Sequence, residues 1–343
     1  MTKSAQPNQT ADKLLKDGES TFAISVVIPA FRPADFEALR ASMAANTDAE
    51  AEWIVVDDGS GPDYDAVFAT LADTPARVTR QAENRRQGAA RNAGLAQARG
   101  KWIKFLDADD ELDAGHLAAL LNAACAAQEN AIPFAPTRHV FAGGSTADNE
   151  SWRGLEATPE AQLARLLHAP FLHHCGALFP RDLLERLGGY EEGLETDEDG
   201  DLLIRVLMAG YKFIPVEGVH YLYVHHNEGD RVSSDGGSAK LAARLGVCDR
   251  VEAAFADSGQ GMPQAVRHGL ALRLDKIALS YWHEDRAAAR AVLERARALC
   301  PGYRVPGRWP LSLIRALGGP SMVTGASRLY RRLRGRPAGG TQG

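Results

Sequence analysis

The residues best suited to chemistry in this 343-residue chain are acids, gathered in three short runs. These are Asp57-Asp58-Gly59-Ser60, Asp107-Ala108-Asp109-Asp110 and Glu198-Asp199-Gly200-Asp201. Alternate residues of an extended segment project to one side, so Asp107 and Asp109 can converge on one divalent cation. Carboxylate oxygens are hard ligands of the kind that suit Mg2+ or Mn2+. A single Asp after a strand can instead cap the next helix, a reading that serves for Asp57. It does not account for two acidic clusters behind two separate strands. Acids also favour the first turn of a helix through its dipole, and Glu195, Asp197 and Glu198 fit that simpler role. A carboxylate beside a hydroxyl can also take its proton as a bond forms.

The elements that must position these acids can be read from hydrophobic patterning. Ile24 to Ile28, Trp53 to Val56 and Trp102 to Leu106 are short runs, apolar on both faces, as buried parallel strands are. Arg77 to Arg80 reads as a further strand. Helical stretches are expected at 33–46, 62–73, 87–99, 115–128, 183–187 and 201–209, with Gly100 closing the third. Strands alternating with helices predict an α/β fold with a mostly parallel central sheet. Ligands of such sheets sit at the carboxyl ends of the strands, where two of the acidic runs fall. Residues 130–160 give mixed signals. Phe213 to Val216 and Tyr221 to Val224 read as short strands, and beyond Ser238 the chain turns helical. A Walker A loop and a Gly-x-Gly-x-x-Gly after the first strand are both lacking. That argues against a P-loop NTPase and a nicotinamide dehydrogenase, and leaves a nucleotidyltransferase, which normally opens with a Gly-rich loop after the first strand, as a rival reading.

Four segments stand in order: Val26-Val27-Ile28-Pro29-Ala30-Phe31, Val55-Val56-Asp57-Asp58-Gly59-Ser60, Ala90-Arg91-Asn92-Ala93-Gly94 and Phe105-Leu106-Asp107-Ala108-Asp109-Asp110. With Glu198-Asp199-Gly200-Asp201-Leu202-Leu203-Ile204-Arg205 they resemble glycosyltransferase family 2, over roughly residues 22 to 234. The resemblance implies the GT-A (Rossmann-like) fold and inverting transfer of a sugar from a nucleoside-diphosphate sugar, usually a UDP-sugar, to an acceptor hydroxyl. It places Pro29 and Ala30 in the nucleoside pocket and Asp58 on the base. Asp107 then faces the ribose or the metal's waters, Asp109 ligates Mg2+ or Mn2+, and Asp110 can stand in for either acid. Arg91 falls on the diphosphate side, Asp199 is the catalytic base, and Gly188-Gly189-Tyr190 belong to an acceptor-side loop. His225-His226 and Arg231-Val232-Ser233 resemble a segment that closes over the donor phosphates, with His225 a further metal ligand; a surface or core histidine is the plain alternative. His173-His174 fall at the acceptor mouth. Residues 130–170 match no motif, and a donor-binding homologue without catalysis is the alternative to an enzyme.

The domain plan that follows is a disordered leader over 1–21, a GT-A domain over 22–238 and a helical C-terminal region over 239–343. The net charge of −5 gives no sign of nucleic-acid binding. Residues 301–343 carry eight Arg and no acid. Trp309 to Arg336 therefore reads either as a cationic amphipathic segment on an anionic membrane or as a docked helix with solvated Arg. The first would suit a lipid-linked acceptor; a glycan or other hydroxyl acceptor fits the second equally. Cys125, Cys175, Cys248 and Cys300 form no Cys-x-x-Cys pair and are expected as reduced, buried thiols. The polar start, lacking an apolar core of a signal peptide, and the want of a long apolar span lead to a cytoplasmic location, at most peripheral on the inner face of the membrane.

Overall fold

The computed structural model describes residues 22–225, 238–259, 261–282 and 284–304. The expected leader at 1–21, His226, Arg231-Val232-Ser233 and the basic segment Trp309 to Arg336 lie outside the described residues. The chain divides into two compact units, Met1–Val232 and Ser233–Gly343.

The first unit runs β1 (Ile24–Ala30), α1 (Glu37–Ala45), β2 (Ala51–Asp57), α2 (Asp65–Ala69), β3 (Ala76–Arg80), α3 (Arg86–Leu95) and β4 (Trp102–Phe105). It continues with β5 (Glu111–Leu112), α4 (His116–Ala126), β6 (Ala131–Phe134), β7 (Thr137–Val140), β8 (Thr146–Asp148) and α5 (Pro159–His168). It ends with β9 (Leu178–Pro180), α6 (Arg181–Arg186), α7 (Glu198–Met208), β10 (Lys212–Pro215) and β11 (Tyr221–Val224).

The central sheet has the order β3-β2-β1-β4-β9. Its first four strands are parallel, and β9 runs antiparallel to β4. Every residue of β1 is buried, as a strand covered on both faces requires. The chain crosses from one side of β1 to the other between β3 and β4, which opens a crevice at the carboxyl ends of β1 and β4. A smaller sheet, β5-β11-β7-β8, lies beside it, and β10 pairs with β6.

Helix α3 packs on this sheet unusually closely. A Cβ added at Gly94 would stand 2.3 Å from Val27 Cγ1 and 3.2 Å from Val56 Cγ2. Only glycine allows the helix to approach so near. Gly94→Ala is expected to destabilise the unit by about 1–3 kcal/mol through overpacking. Urea unfolding checks this; an unchanged midpoint would show that Val27 yields freely.

Several sequence expectations change. The stretch 62–73 is a single 3-10 turn at Pro62–Tyr64 followed by α2, which ends at Ala69. Gly61, at φ 88°, and Pro62 make the turn that starts it, and Thr70 bonds back to Val67 at its end. The third helix stops at Leu95, so Gly100 is not its cap. Gly100 instead lets the chain pass β1: a Cβ there would lie 2.5 Å from the Ser25 nitrogen. The stretch 130–160, mixed in its sequence signals, holds β6, β7 and β8, and β9, at three residues, is too short to show a periodicity. Cys125 is exposed, unlike the buried Cys175, Cys248 and Cys300, and all four are free thiols.

The second unit holds α8 (Ser238–Asp257), α9 (Gln264–Tyr281) and α10 (Arg286–Leu299). Val266, Leu270, Leu274, Val292, Leu293 and Ala296 are buried within it. Arg295 of α10 reaches both Asp249 and Glu252 of α8, at 2.6 and 2.7 Å. Among the described residues, no helix is long and apolar enough to cross a membrane.

Candidate active site

The acids at the ends of β2 and β4 enter the crevice by different routes. Asp57 Oδ1 accepts from the Ser60 amide at 2.9 Å, which folds the turn after β2. Gly59 occupies φ 74° within it, and a Cβ there would stand 2.4 Å from the Glu83 carbonyl carbon. Asp58 is thereby set against the next loop. Its Oδ1 accepts from the Arg85 amide at 2.8 Å, its own amide donates to the Ala30 carbonyl at 2.8 Å, and burial raises its pKa. Pro29 and Ala30 are buried at the carboxyl end of β1, beside Asp58.

Arg91 of α3 is the hub of the site. It is fully buried, yet it carries a permanent charge that must be compensated. One amino group donates to Asp107 Oδ1 at 2.7 Å and to Gln87 Oε1 at 3.1 Å. The other donates to Asp199 Oδ1 at 3.1 Å and lies 3.8 Å from Glu198 Oε1. The guanidinium also sits 5.2 Å from the centre of the Tyr190 ring. The sequence places Arg91 on the diphosphate side. In the structure its amino groups are turned to carboxylates and bolt the loop after β4 to the first turn of α7.

Its neighbour Asn92 performs a second fastening. Asn92 Oδ1 accepts from the Tyr190 amide at 2.8 Å, and its Nδ2 donates to the Tyr190 carbonyl at 2.9 Å. Gly189, at φ 69°, lets the chain turn there; a Cβ would stand 2.3 Å from Asn92 Oδ1. Arg91, Asn92 and Gly94 thus serve charge pairing, turn fastening and helix-to-sheet contact from one helix.

Asp199 opens α7 with its side chain 35% exposed. Its Oδ2 lies 3.2 Å from His174 Nδ1. Burial pushes Asp199 up to about 7, Arg91 pulls it down, and Glu198 pushes it up again. His174 is held neutral, well below the usual imidazole range, by burial and then by Arg91. Burial also works against the charge on Asp107, but Arg91 and His173 outweigh it and hold that carboxyl low.

The acids after β4 and in α7 separate into different jobs. Asp109 is exposed and Asp107 partly so. Asp110 is buried; it accepts from the Tyr221 hydroxyl and, at 2.8 Å, from the Val224 amide. Burial, then Asp107, push its pKa up to about 8. Asp110 ties the loop to β11 and is not the substitute ligand suggested by its position. Asp201 is buried and pairs with Arg205 at 2.8 Å, and Arg205 in turn donates to the Leu187 and Gly189 carbonyls. It braces α7.

His225 also departs from expectation. Its Nε2 lies 3.0 Å from His139 Nδ1, and its ring stacks on Phe141 at 4.5 Å and 10°. It belongs to a cross-strand ring contact between β11 and β7. Asp107 and Asp109 stand on one loop at the carboxyl end of β4 and carry hard carboxylate oxygens of the kind Mg2+ or Mn2+ takes, with one Asp107 oxygen accepting from Arg91. His173, His174 and Cys175 bring their ligand atoms within 4.8 Å of one another, a softer set. His173 Nδ1 there accepts from the Cys175 amide at 3.3 Å, and His174 faces Asp199, so both already serve the site wall.

The motifs in the sequence do not show that His174 stands beside Asp199, nor do they include Lys104. Lys104 is fully buried in β4, its Nζ donating to the Cys175 carbonyl, and burial lowers its pKa to about 7. The signal was available: a lysine inside the apolar run Trp102-Ile103-Lys104-Phe105-Leu106 needs an internal acceptor.

A mostly parallel sheet whose acid-bearing strand ends meet a further acid on α7 is the architecture of the GT-A glycosyltransferases. The family model described as Glycosyl transferase family 2 matches residues 25–188 of this chain. It is 28% identical over 274 residues to the "Succinoglycan biosynthesis protein ExoO" of Rhizobium meliloti (strain 1021), covering 77% of this chain and 75% of the relative. It is 31% identical over 179 residues to the "GalNAc(5)-diNAcBac-PP-undecaprenol beta-1,3-glucosyltransferase" of Campylobacter jejuni, covering 49% and 55%. Among solved structures, S. aureus TarS 1-349 in complex with UDP-GlcNAc is similar in fold, with a TM-score of 0.61 at 18% identity over 90% of this chain and 91% of that one.

Proposed function

We propose that this glycosyltransferase moves a sugar from a UDP-sugar to a hydroxyl of a bacterial cell-surface glycan or lipid-linked glycan, inverting the anomeric configuration. The observation that carries this reading is the single buried Arg91 shared by Asp107 and Asp199. It holds a donor-side carboxylate and an acceptor-side carboxylate on opposite ends of one guanidinium. Asp58, beside Pro29 and Ala30, receives the base of the nucleotide, and Asp107 faces its ribose. Asp109, with Asp107, would hold the divalent cation, which supplies charge neutralisation for a leaving diphosphate.

Asp199 takes the proton of the acceptor hydroxyl as that oxygen forms its bond to the anomeric carbon. The bond from that carbon to the diphosphate oxygen breaks on the opposite face, so one displacement inverts the centre. The names of the relatives, which concern succinoglycan synthesis and an undecaprenol-linked glycan, support a glycan acceptor.

Calorimetric titration with UDP and with GDP, each with and without Mn2+, tests the donor side. UDP is expected to bind in a Mn2+-dependent way, and Asp109→Ala is expected to abolish that dependence. Preference for GDP, or equal UDP affinity after Asp109→Ala, would overturn the donor or the metal assignment respectively. The anomeric configuration of the product, read by proton NMR, tests inversion.

A further inference from the structure

The smaller sheet carries a feature that donor chemistry does not use. In register, Tyr221 of β11 pairs with Thr137 of β7, and Tyr223 pairs with His139. Alternate residues of a strand share a face, so Tyr221, Tyr223 and His225 stand beside Thr137, His139 and Phe141 on one side of the sheet. Five of these six positions are rings. They touch in sequence: Tyr223 to His225 at 5.0 Å, His139 to Tyr223 at 5.6 Å, and His225 stacked on Phe141 at 4.5 Å with planes nearly parallel.

The inner end of this row reaches the acids. His173 stacks on Tyr221 at 4.9 Å and 13°, and lies 5.8 Å from Tyr223. His173 meets His174 at 4.7 Å, and His174 Nδ1 is 3.2 Å from Asp199 Oδ2. The outer end is Phe141, 41% exposed and one of two large exposed hydrophobic side chains among the described residues. The row is therefore continuous from the base of the proposed reaction to the surface.

The composition of the row is unlike that of a packing face. His139, Tyr223 and His225 are only partly buried, and each joins a flat apolar ring to polar atoms at its edge. A sugar ring has the matching chemistry: an apolar C–H face and a rim of hydroxyls. We infer that this row of rings is the acceptor subsite, a platform on which pyranose rings of a glycan chain lie, with their hydroxyl-bearing end directed to Asp199. Phe141 is its outermost stacking residue. The inference rests on the reading of Asp199 as the base and goes beyond it by naming what delivers the hydroxyl.

Saturation-transfer NMR with three neutral tetrasaccharides, cellotetraose, chitotetraose and maltotetraose, tests it on the full chain. At least one is expected to receive saturation at its ring C–H protons. Phe141→Ala is expected to weaken that binding about tenfold, as loss of one aromatic contact does, and Phe141→Trp to restore it. Phe141 is exposed, so its replacement leaves the folded unit intact, and thermal unfolding of each variant verifies that. If no tetrasaccharide binds, or if Phe141→Ala binds as the unaltered protein does, the platform is overturned. UDP titration with Mn2+ on the same preparations reports on the donor reading separately: an unaltered protein that binds UDP but no tetrasaccharide defeats the platform alone.

Discussion

Asp199→Asn is expected to lower turnover by ~10²–10⁴-fold, the usual cost of losing a general base. The substitution keeps the size of the side chain and can still accept from Arg91, but its amide has no site for the acceptor's proton. UDP affinity and the KM for the donor should change little, because the donor acids belong to the loop after β4. A fall in kcat without a rise in donor KM is the pattern of an interaction made only in the transition state. Asp201→Asn separates this from damage to α7. Asp201 is buried against Arg205, so its loss should appear as reduced stability in urea, with a smaller change in kcat. Near-normal turnover of Asp199→Asn, or a greater loss of kcat in Asp201→Asn, would move the base elsewhere. The pH profile adds a second check. Burial pushes Asp199 up to about 7, and a base works only when deprotonated. The kcat/KM should therefore rise with pH through about 7 and level off above it.

Arg91→Met is expected to be the more damaging change to the fold. Methionine fills part of the buried volume but leaves Asp107 and Asp199 facing one another without their shared cation. Breaking a buried ion pair by removing one partner costs about 3–5 kcal/mol, since the remaining charge is uncompensated. The urea midpoint should drop accordingly at neutral pH. The sign with pH follows from the carboxylates. Arg91 holds the Asp107 carboxyl below its ordinary range, so the stability it contributes is present above the unfolded-state pKa and lost as pH falls through the folded one. The gap between the two proteins should thus narrow in acid. In any Arg91→Met protein that stays folded, Asp199 should titrate higher still, moving the acid limb of kcat/KM upward. An unchanged midpoint together with an unchanged limb would show that Arg91 is not the link between the two acids. Arg91→Lys is not expected to rescue, because a single ammonium cannot present two separate amino groups to two carboxylates.

The residues that decide the class of the protein were legible in the sequence because their signals are local. Buried parallel strands are short apolar runs, and acids clustered directly behind them are rare without a purpose. The ordered segments from Val26 to Asp110 and the acidic start of α7 needed no tertiary information to suggest a sugar-transferring fold. Local patterns could not rank neighbouring acids. Asp107, Asp109, Asp110, Asp199 and Asp201 are alike in type and near in number, yet Asp110 turns to Tyr221 and Val224, and Asp201 turns to Arg205. Those partners stand 111, 114 and 4 residues away, and burial, not spacing, separates a structural carboxylate from a working one.

Contacts across long separations decided the rest. Arg91 meets Asp199 across 108 residues, and His139 meets His225 across 86. In the sequence Arg91 is one basic residue of a helix, and His225 is one of two adjacent histidines. Only folding removes Arg91 from water, which makes its choice of carboxylates compulsory. Only the parallel register of β7 and β11 places Tyr-x-Tyr-x-His beside His-x-Phe on one face. The sequence alone determined the class of chemistry, because that depends on residue types at strand ends. The tertiary structure decided which carboxylate is oriented by which partner, because desolvation and register arise only when distant segments meet.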